Sequence, residues 1–356
     1  MTALPLLDPA AAAGALARWF TRCHPGARDL VVHGHEIPAA GYSNLTWLVT
    51  LDGPAGVALA PRKCVVRLQV QGDGVFPDNE VARQFDTLQR LAGSGLPVPA
   101  LHGFEPDAQV VGAPFYVMSR IDGRVPNENP LYHLEGWLHD LPPADQGRHW
   151  LAGVSMLARI GRVDWRALGL SCLGPGDSRA ALEHRLSAGL QHVRWAESLG
   201  QPYPHLHAAY RWLVAHSPGD EPVALQWGDA KLGNCVFDEG RVAGVLDWET
   251  AALGSPVADL AWWLIHDEAL SSGYGVPRLA GLPSREVSVA HWERACGHSA
   301  ETLPYHEVMA AWRFATIMAR IGTIFMQRGW VSRESAMDLN NGAAAVLGRL
   351  AGVHGF

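Results

Sequence analysis

The sequence predicts an α+β chain in two parts, strands first and helices afterwards. Three observations predict it. Short apolar runs of strand character fill the first third of the chain. Beyond a Pro- and Asn-rich stretch at residues 124–132, the apolar spacing changes to the helical period of 3.6. A two-strand hairpin signal then interrupts the helices between Asn234 and Asp247. At 356 residues the chain has room for two such parts, since domains commonly run about 100–200 residues.

In chain order, Asp8-Pro9 reads as an N-cap followed by Pro at the first helical position, opening a helix toward Phe20. Residues 30–37 and 45–51 read as strands, with Pro38-Ala-Ala-Gly41-Tyr-Ser43-Asn44 between them. Small residues at such a turn let backbone N–H groups approach phosphates closely. Residues 64–69 form the next strand, and 79–91 a helix with Val81, Phe85, Leu88 and Leu91 on one stripe. Leu96-Pro-Val-Pro99 is rigid and extended, and residues 115–118 are an apolar strand. Residues 144–160, 180–196, 305–320 and 332–350 read as helices. Another starts at Ser255-Pro256, where Asp259 in the first turn complements the helix dipole.

Composition narrows the function classes. A formal charge of −7 with no Lys/Arg cluster argues against a nucleic-acid surface. Five scattered cysteines without a C-x-x-C pair fit free thiols in a reducing, cytoplasmic setting and no structural zinc. Residues 1–14 carry no Lys or Arg, unlike a signal peptide, and no uninterrupted apolar run approaches the roughly 20 residues that span a bilayer. No membrane partner is expected. Lys63 and Lys231 are the only lysines, so a lysine here carries more information than an arginine.

The chemistry concentrates in residues 225–260, LQWGDAKLGNCVFDEGRVAGVLDWETAALGSPVADL. Asp229 is a carboxylate on a short loop, suited to orienting or deprotonating an attacking hydroxyl. Asn234 offers an amide oxygen and Asp247 a second carboxylate, hard ligands of the kind Mg²⁺ takes alongside nucleotide phosphates. Residues 235–237 and 242–246 read as strands joined by Asp238-Glu239-Gly240-Arg241, so the hairpin returns Asp247 to the neighbourhood of Asn234.

This arrangement resembles the lower half of a protein-kinase-like site. It is most similar to the aminoglycoside phosphotransferase family, in the branch related to the kinase-like domains of acyl-CoA-dehydrogenase fusions. The resemblance implies a two-lobed, protein-kinase-like fold. A small, mostly antiparallel β-lobe would span residues 1–120 and a larger helical lobe 121–356. It implies an ATP-dependent kinase, or a GTP-dependent one, that uses Mg²⁺ and phosphorylates a hydroxyl on a small molecule.

Residue by residue, the resemblance makes Asp229 the catalytic base and Lys231 the cation that steadies the transferring phosphate. Asn234 and Asp247 become the metal ligands. Gly41, Ser43 and Asn44 fall in the phosphate-covering loop, and Arg67 stands where the family carries its phosphate-pairing Lys. The helical Glu position falls on Gln84, with Glu80 one turn earlier. Arg67 therefore pairs with Glu80, the preferred partner, or binds phosphate beside a neutral Gln84. Backbone groups of Ser119 and Ile121 would meet the adenine, and Asp259 would buttress the catalytic loop. Trp227 replaces the family's usual His.

The acceptor is less legible, because variable helices build its pocket. Candidate acids are Glu249, Asp267, Glu268 and Glu307, among Trp262, Trp263, Trp312, Phe314 and Met318. That balance is more apolar than a polycation requires, which favours a less charged hydroxylated metabolite. A second reading, a nucleotide-binding pseudokinase with a regulatory role, rests on the altered Arg67/Gln84 pair.

Overall fold

The computed structural model describes residues 9–24, 29–36, 44–53, 63–69, 74–77 and 80–356. Two compact units emerge, Met1–Asp122 and Gly123–Phe356. The first is built on a five-stranded antiparallel sheet of order β1-β2-β3-β5-β4, comprising β1 (Val31–Glu36), β2 (Leu45–Asp52), β3 (Lys63–Leu68), β4 (Leu101–Glu105) and β5 (Phe115–Ser119).

Period-two alternation decides what each face of this sheet does. Cys64, Val66 and Leu68 of β3 share one face with Trp47, Val49 and Leu51 of β2. Helix α1 (Pro9–Cys23) covers that face with Ala12, Leu16, Trp19 and Phe20, giving a closed apolar core. Arg67 lies in the alternate register, facing Thr46 on β2 and Tyr116 on β5. Helix α2 (Val81–Leu91) packs on β4 and β5, where Phe85 meets the rings of Phe104 and Tyr116.

The second unit is mainly helical. Its described helices are α3 (Pro143–Gly161), α4 (Ser178–Leu199), α5 (Pro204–Ala215), α6 (Val257–Leu270), α7 (Arg285–Cys296), α8 (Leu303–Gln327) and α9 (Gly342–His354). Helix α8 packs against α4, α5, α6 and α9. It is long and apolar enough to cross a membrane, yet 78% of its most apolar window is buried within the protein, as a core helix requires. Two short antiparallel pairs frame the central stretch: β6 (Ala224–Gln226) with β9 (Ala252–Gly254), and β7 (Cys235–Asp238) with β8 (Arg241–Val245).

One expectation needs correction, and one helix was not anticipated. Residues 332–350 are not one helix: Ala336 takes a left-handed φ of 44°, and Asn341 opens α9 by accepting a hydrogen bond from Ala344 N at 2.9 Å. A residue locked at positive φ cannot continue a right-handed helix. Helix α7, capped by the Ser284 hydroxyl, escaped the apolar-spacing argument because only Ser288, Trp292 and Cys296 of its residues are buried.

Candidate active site

The chain from β6 to β7 is held at several points before any functional group is placed. Trp227 N and Gly228 N donate to the two carboxylate oxygens of Asp259, in the first turn of α6, at 2.6 and 2.9 Å. The Trp227 indole is fully buried and donates from Nε1 to Leu246 O at 2.8 Å, so Trp at this position packs and bonds at once. Gly228 sits at φ 89°, and a Cβ there would collide with the Thr250 carbonyl. Its own carbonyl accepts from the Arg313 guanidinium of α8 at 2.6 Å. The loop is thereby fixed to α6, β8 and α8.

Asp229 emerges from this anchored loop with both oxygens engaged and its side chain about one-fifth exposed, at 21%. Trp262 Nε1 donates to Oδ1 at 3.0 Å, and the Asn234 amide donates to Oδ2 at 2.7 Å. Lys231 Nζ lies 3.8 Å from Oδ2. Burial pushes the carboxyl up, but Lys231, His266, Arg313 and the Asn234 bond outweigh it and hold its pKa below the ordinary value. The group is ionised at neutral pH and accepts only. Lys231 shows the converse balance: burial disfavours its charge, while Asp229 and Glu128 raise its pKa more than burial lowers it.

Asn234 donates its amide nitrogen to both Asp229 O and Asp229 Oδ2, at 3.0 and 2.7 Å. Those two atoms accept only, so the amide orientation follows and Oδ1 points away from Asp229. Asn234 O accepts from Leu246 N at 2.9 Å, which brings the residue before Asp247 onto Asn234. The hairpin turn is Glu239-Gly240, at φ 47° and 78°, a pair of left-handed positions suited to a two-residue connection. Asp247 itself takes φ 58°, a costly conformation for a non-glycine residue. Such strain concentrates at functional positions, and here it follows directly on the end of β8.

In the first unit Arg67 donates to Thr46 Oγ1 at 3.0 Å. The Tyr116 hydroxyl, opposite Arg67 in register, donates to Gln84 Oε1 at 3.3 Å, and Gln84 is buried. Glu80 is exposed at the N-cap of α2 and has no ion pair among the described residues. The preferred Arg67–Glu80 ion pair is therefore not formed among the described residues. Residue 80 precedes the first helical turn, whereas Gln84 lies inside α2, over the sheet. Asn44 is buried, and Ser119 ends β5 with its N–H bonded to Ala100 O at 2.8 Å. Ile121 is half-buried just beyond it. Gly41 and Ser43 lie outside the described residues.

Comparison with known proteins decides what this arrangement belongs to. The profile of the phosphotransferase enzyme family (APH) matches residues 35–297, about three-quarters of the chain. The chain belongs to this family. Among curated proteins it is 30% identical over 235 residues to acyl-CoA dehydrogenase family member 10 of Mus musculus, covering 65% of this chain and 21% of that one. It is 29% identical over 257 residues to acyl-CoA dehydrogenase family member 11 of Gallus gallus, covering 70% and 30%. The match therefore spans less than a third of either relative's length.

Solved structures share the fold. A Ralstonia eutropha protein described as a candidate aminoglycoside phosphotransferase superposes with a TM-score of 0.68 at 21% identity, covering 95% of this chain and 98% of that one. A point mutant of the aminoglycoside 2'-phosphotransferase of type IIIa, in a GDP complex, gives 0.60 at 14% identity, covering 96% and 99%. A thermostable mutant of APH(4)-Ia, in a ternary complex with AMP-PNP and hygromycin B, gives 0.56 at 15%, covering 96% and 98%. The APH fold, kinase-like with an antiparallel sheet in one part and helices in the other, is thus the fold of this chain.

Within this APH chain the acids expected around an acceptor are mostly engaged elsewhere. Asp267 accepts from Tyr132 at 2.7 Å and Arg278 at 2.5 Å. Glu268 forms a two-bond pair with Arg349, at 2.6 and 2.8 Å, and Glu307 another with Arg285, at 2.7 and 2.9 Å. Trp263 and Trp312 are core residues.

Sequence reasoning missed two residues gathered beside Lys231, Glu128 and His266. Glu128 accepts from Lys231 at 2.9 Å and faces His266 Nε2 across 3.8 Å. His266 is 5% exposed, makes no hydrogen bond among the described residues, and stacks on Phe314 with centroids 5.0 Å apart. Burial foremost keeps it neutral by lowering its pKa. Glu128 lies in the Pro- and Asn-rich stretch, where only tertiary contact reveals it. The donor set that fits a cation is the Asn234 Oδ1 and the Asp247 carboxylate, two hard oxygens, matching Mg²⁺ held mainly through phosphates.

Proposed function

We propose that this chain transfers the γ-phosphoryl group of ATP, or of GTP, to a hydroxyl of a small molecule, with Mg²⁺ required and Asp229 as the base. The observation that carries the reading is the Asp229 carboxylate. It is ionised, held at one oxygen by the Trp262 indole and at the other by Asn234, with the Lys231 ammonium 3.8 Å away. Phosphoryl transfer depends on positioning and charge more than on covalent help, and this is a positioned charge. AMP-PNP and GDP in two structural neighbours support a nucleotide as the donor.

In this reading Asp229 accepts a hydrogen bond from the acceptor hydroxyl, aligns its oxygen for attack on the γ-phosphorus, and takes its proton as that bond forms and the bond to the β–γ bridging oxygen breaks, releasing the nucleoside diphosphate. Lys231 moves its charge from Glu128 toward the transferring phosphoryl oxygens. Asn234 and Asp247 would hold Mg²⁺, which would supply neutralisation of phosphate charge. Arg67, beside the neutral Gln84, serves the phosphates together with Asn44, Gly41 and Ser43, and the backbone of Ser119 and Ile121 serves the base. Neutral His266 offers the acceptor a hydrogen-bonding nitrogen against the Trp262 and Phe314 rings.

With Asp267, Glu268 and Glu307 already paired, few carboxylates remain for a polycation. The natural acceptor is a hydroxylated metabolite of low positive charge. Nucleoside-diphosphate release measured over a panel of aminoglycosides and neutral or acidic hydroxyl compounds tests this. Turnover confined to the second group is expected. Efficient turnover of kanamycin would overturn the preference.

A further inference from the structure

At the turn end of the β7–β8 hairpin, away from Asn234, a cavity of about 380 Å³ opens within the second unit. Its walls include Arg124, Trp137, His149 and Phe237, with Asp145 and Arg148 alongside. That volume lies within the usual range of small-molecule sites, roughly 300–1,000 Å³. Nothing in the phosphoryl-transfer reading uses it.

The walls are built, not incidental. Gly123, at φ 142°, lets the chain press against the hairpin, where a Cβ would meet Phe237 O at 2.6 Å. Arg124 and Phe237 then exchange both backbone hydrogen bonds, each 2.8 Å. The rings of Trp137 and Phe237 meet His149 edge to face, with both centroid distances 5.2 Å. Trp137 is fixed by its Nε1 bond to Val125 O at 2.8 Å.

Three recognition elements result. The Arg124 guanidinium lies 4.7 Å over the Trp137 ring and has no ion pair among the described residues, whereas Arg148 is paired with Asp145. His149 is 8% exposed, and its Nδ1 donates to Asp145 O at 2.7 Å, because a carbonyl only accepts. Burial, then Arg148 and Arg124, lower the His149 pKa. Its Nε2 is left as a bare lone pair with no partner among the described residues. The aromatic rings supply the third element, a flat apolar wall.

We propose that this cavity binds a small aromatic acid: a flat ring against Trp137 and Phe237, a hydrogen-bond donor to His149 Nε2, and a carboxylate at Arg124. The ligand would bear on the hairpin that carries Asn234 at its start and Asp247 just past its end.

The probe is 4-aminobenzoate, titrated calorimetrically into the full chain, with benzylamine as the ring of opposite charge. One site of Kd about 1 mM or tighter is expected for so small a ligand. Arg124→Gln, an exposed change that keeps the backbone pairing, should weaken it about tenfold or more through the lost charge-assisted bond. The Trp137 indole N–H resonance, identified by its loss in Trp137→Phe, should shift on binding. Absence of binding, equal binding of benzylamine, unchanged affinity in Arg124→Gln, or displacement by Mg·AMP-PNP would each overturn the site.

Discussion

Asp229 sits between opposing influences: burial, which favours its neutral form, and nearby cations with Lys231 foremost among them, which favour its charge. The cations prevail, so the carboxylate stays ionised to a lower pH than an ordinary carboxylate. Lys231→Met removes the largest of them. The carboxyl pKa should then rise, and the acid limb of the pH–rate profile should move toward neutrality. An unmoved acid limb would contradict the balance described for this site. Trp262→Phe tests the second support, because it keeps the ring and deletes the N–H that bonds Asp229 Oδ1. A hydrogen bond to a charged group is worth about 1.5–3 kcal/mol, so kcat should fall roughly 10- to 100-fold in protein still folded at the assay temperature. A loss of less than twofold would remove Trp262 from the site. The closeness of Asn234 to Asp229 and to the end of β8 was legible, because all lie within one short stretch folded back by a hairpin. Glu128 and the bond from Trp262 to Asp229 were not, since they reach the loop from 103 and 33 residues away in sequence.

The central element is a loop suspended from α6. Asp259 satisfies two backbone N–H groups that would otherwise be buried without partners. Asp259→Ala should cost roughly 2–5 kcal/mol, read as a lower urea midpoint, because both donors lose their acceptor and the loop carrying Asp229 loses its anchor. Asp259→Asn, which keeps one acceptor oxygen, should fall between the two. Equal stability of all three would mean that the loop is held elsewhere. At this scale the sequence reads well wherever local chemistry is strong. The β7–β8 hairpin follows from its Glu239-Gly240 turn, and α6 from its Pro and Asp start. It reads poorly where a single residue's backbone decides, as at Ala336, or where a helix buries a narrow face, as α7 does.

For the whole molecule, strand-then-helix order and apolar period were enough to anticipate an α+β chain. The APH family match and the structural neighbours establish which one it is. Acceptor identity remained outside the reach of sequence because ion pairs such as Glu268–Arg349 and Glu307–Arg285 remove acids from availability, and only the folded chain displays them. In the proposed reaction one separation is decisive: the nucleotide-holding and acceptor-directed groups are different residues. It is tested most directly by measuring Mg·AMP-PNP affinity and acceptor-dependent nucleoside-diphosphate release in the parent, Asp229→Ala and Asp247→Ala proteins. Asp229→Ala should lose about 10²–10⁴ in rate and bind Mg·AMP-PNP within a few-fold of the parent, whereas Asp247→Ala should lose the Mg-dependent affinity itself. Turnover by Asp229→Ala within threefold of the parent, or unchanged Mg·AMP-PNP affinity in Asp247→Ala, would contradict it.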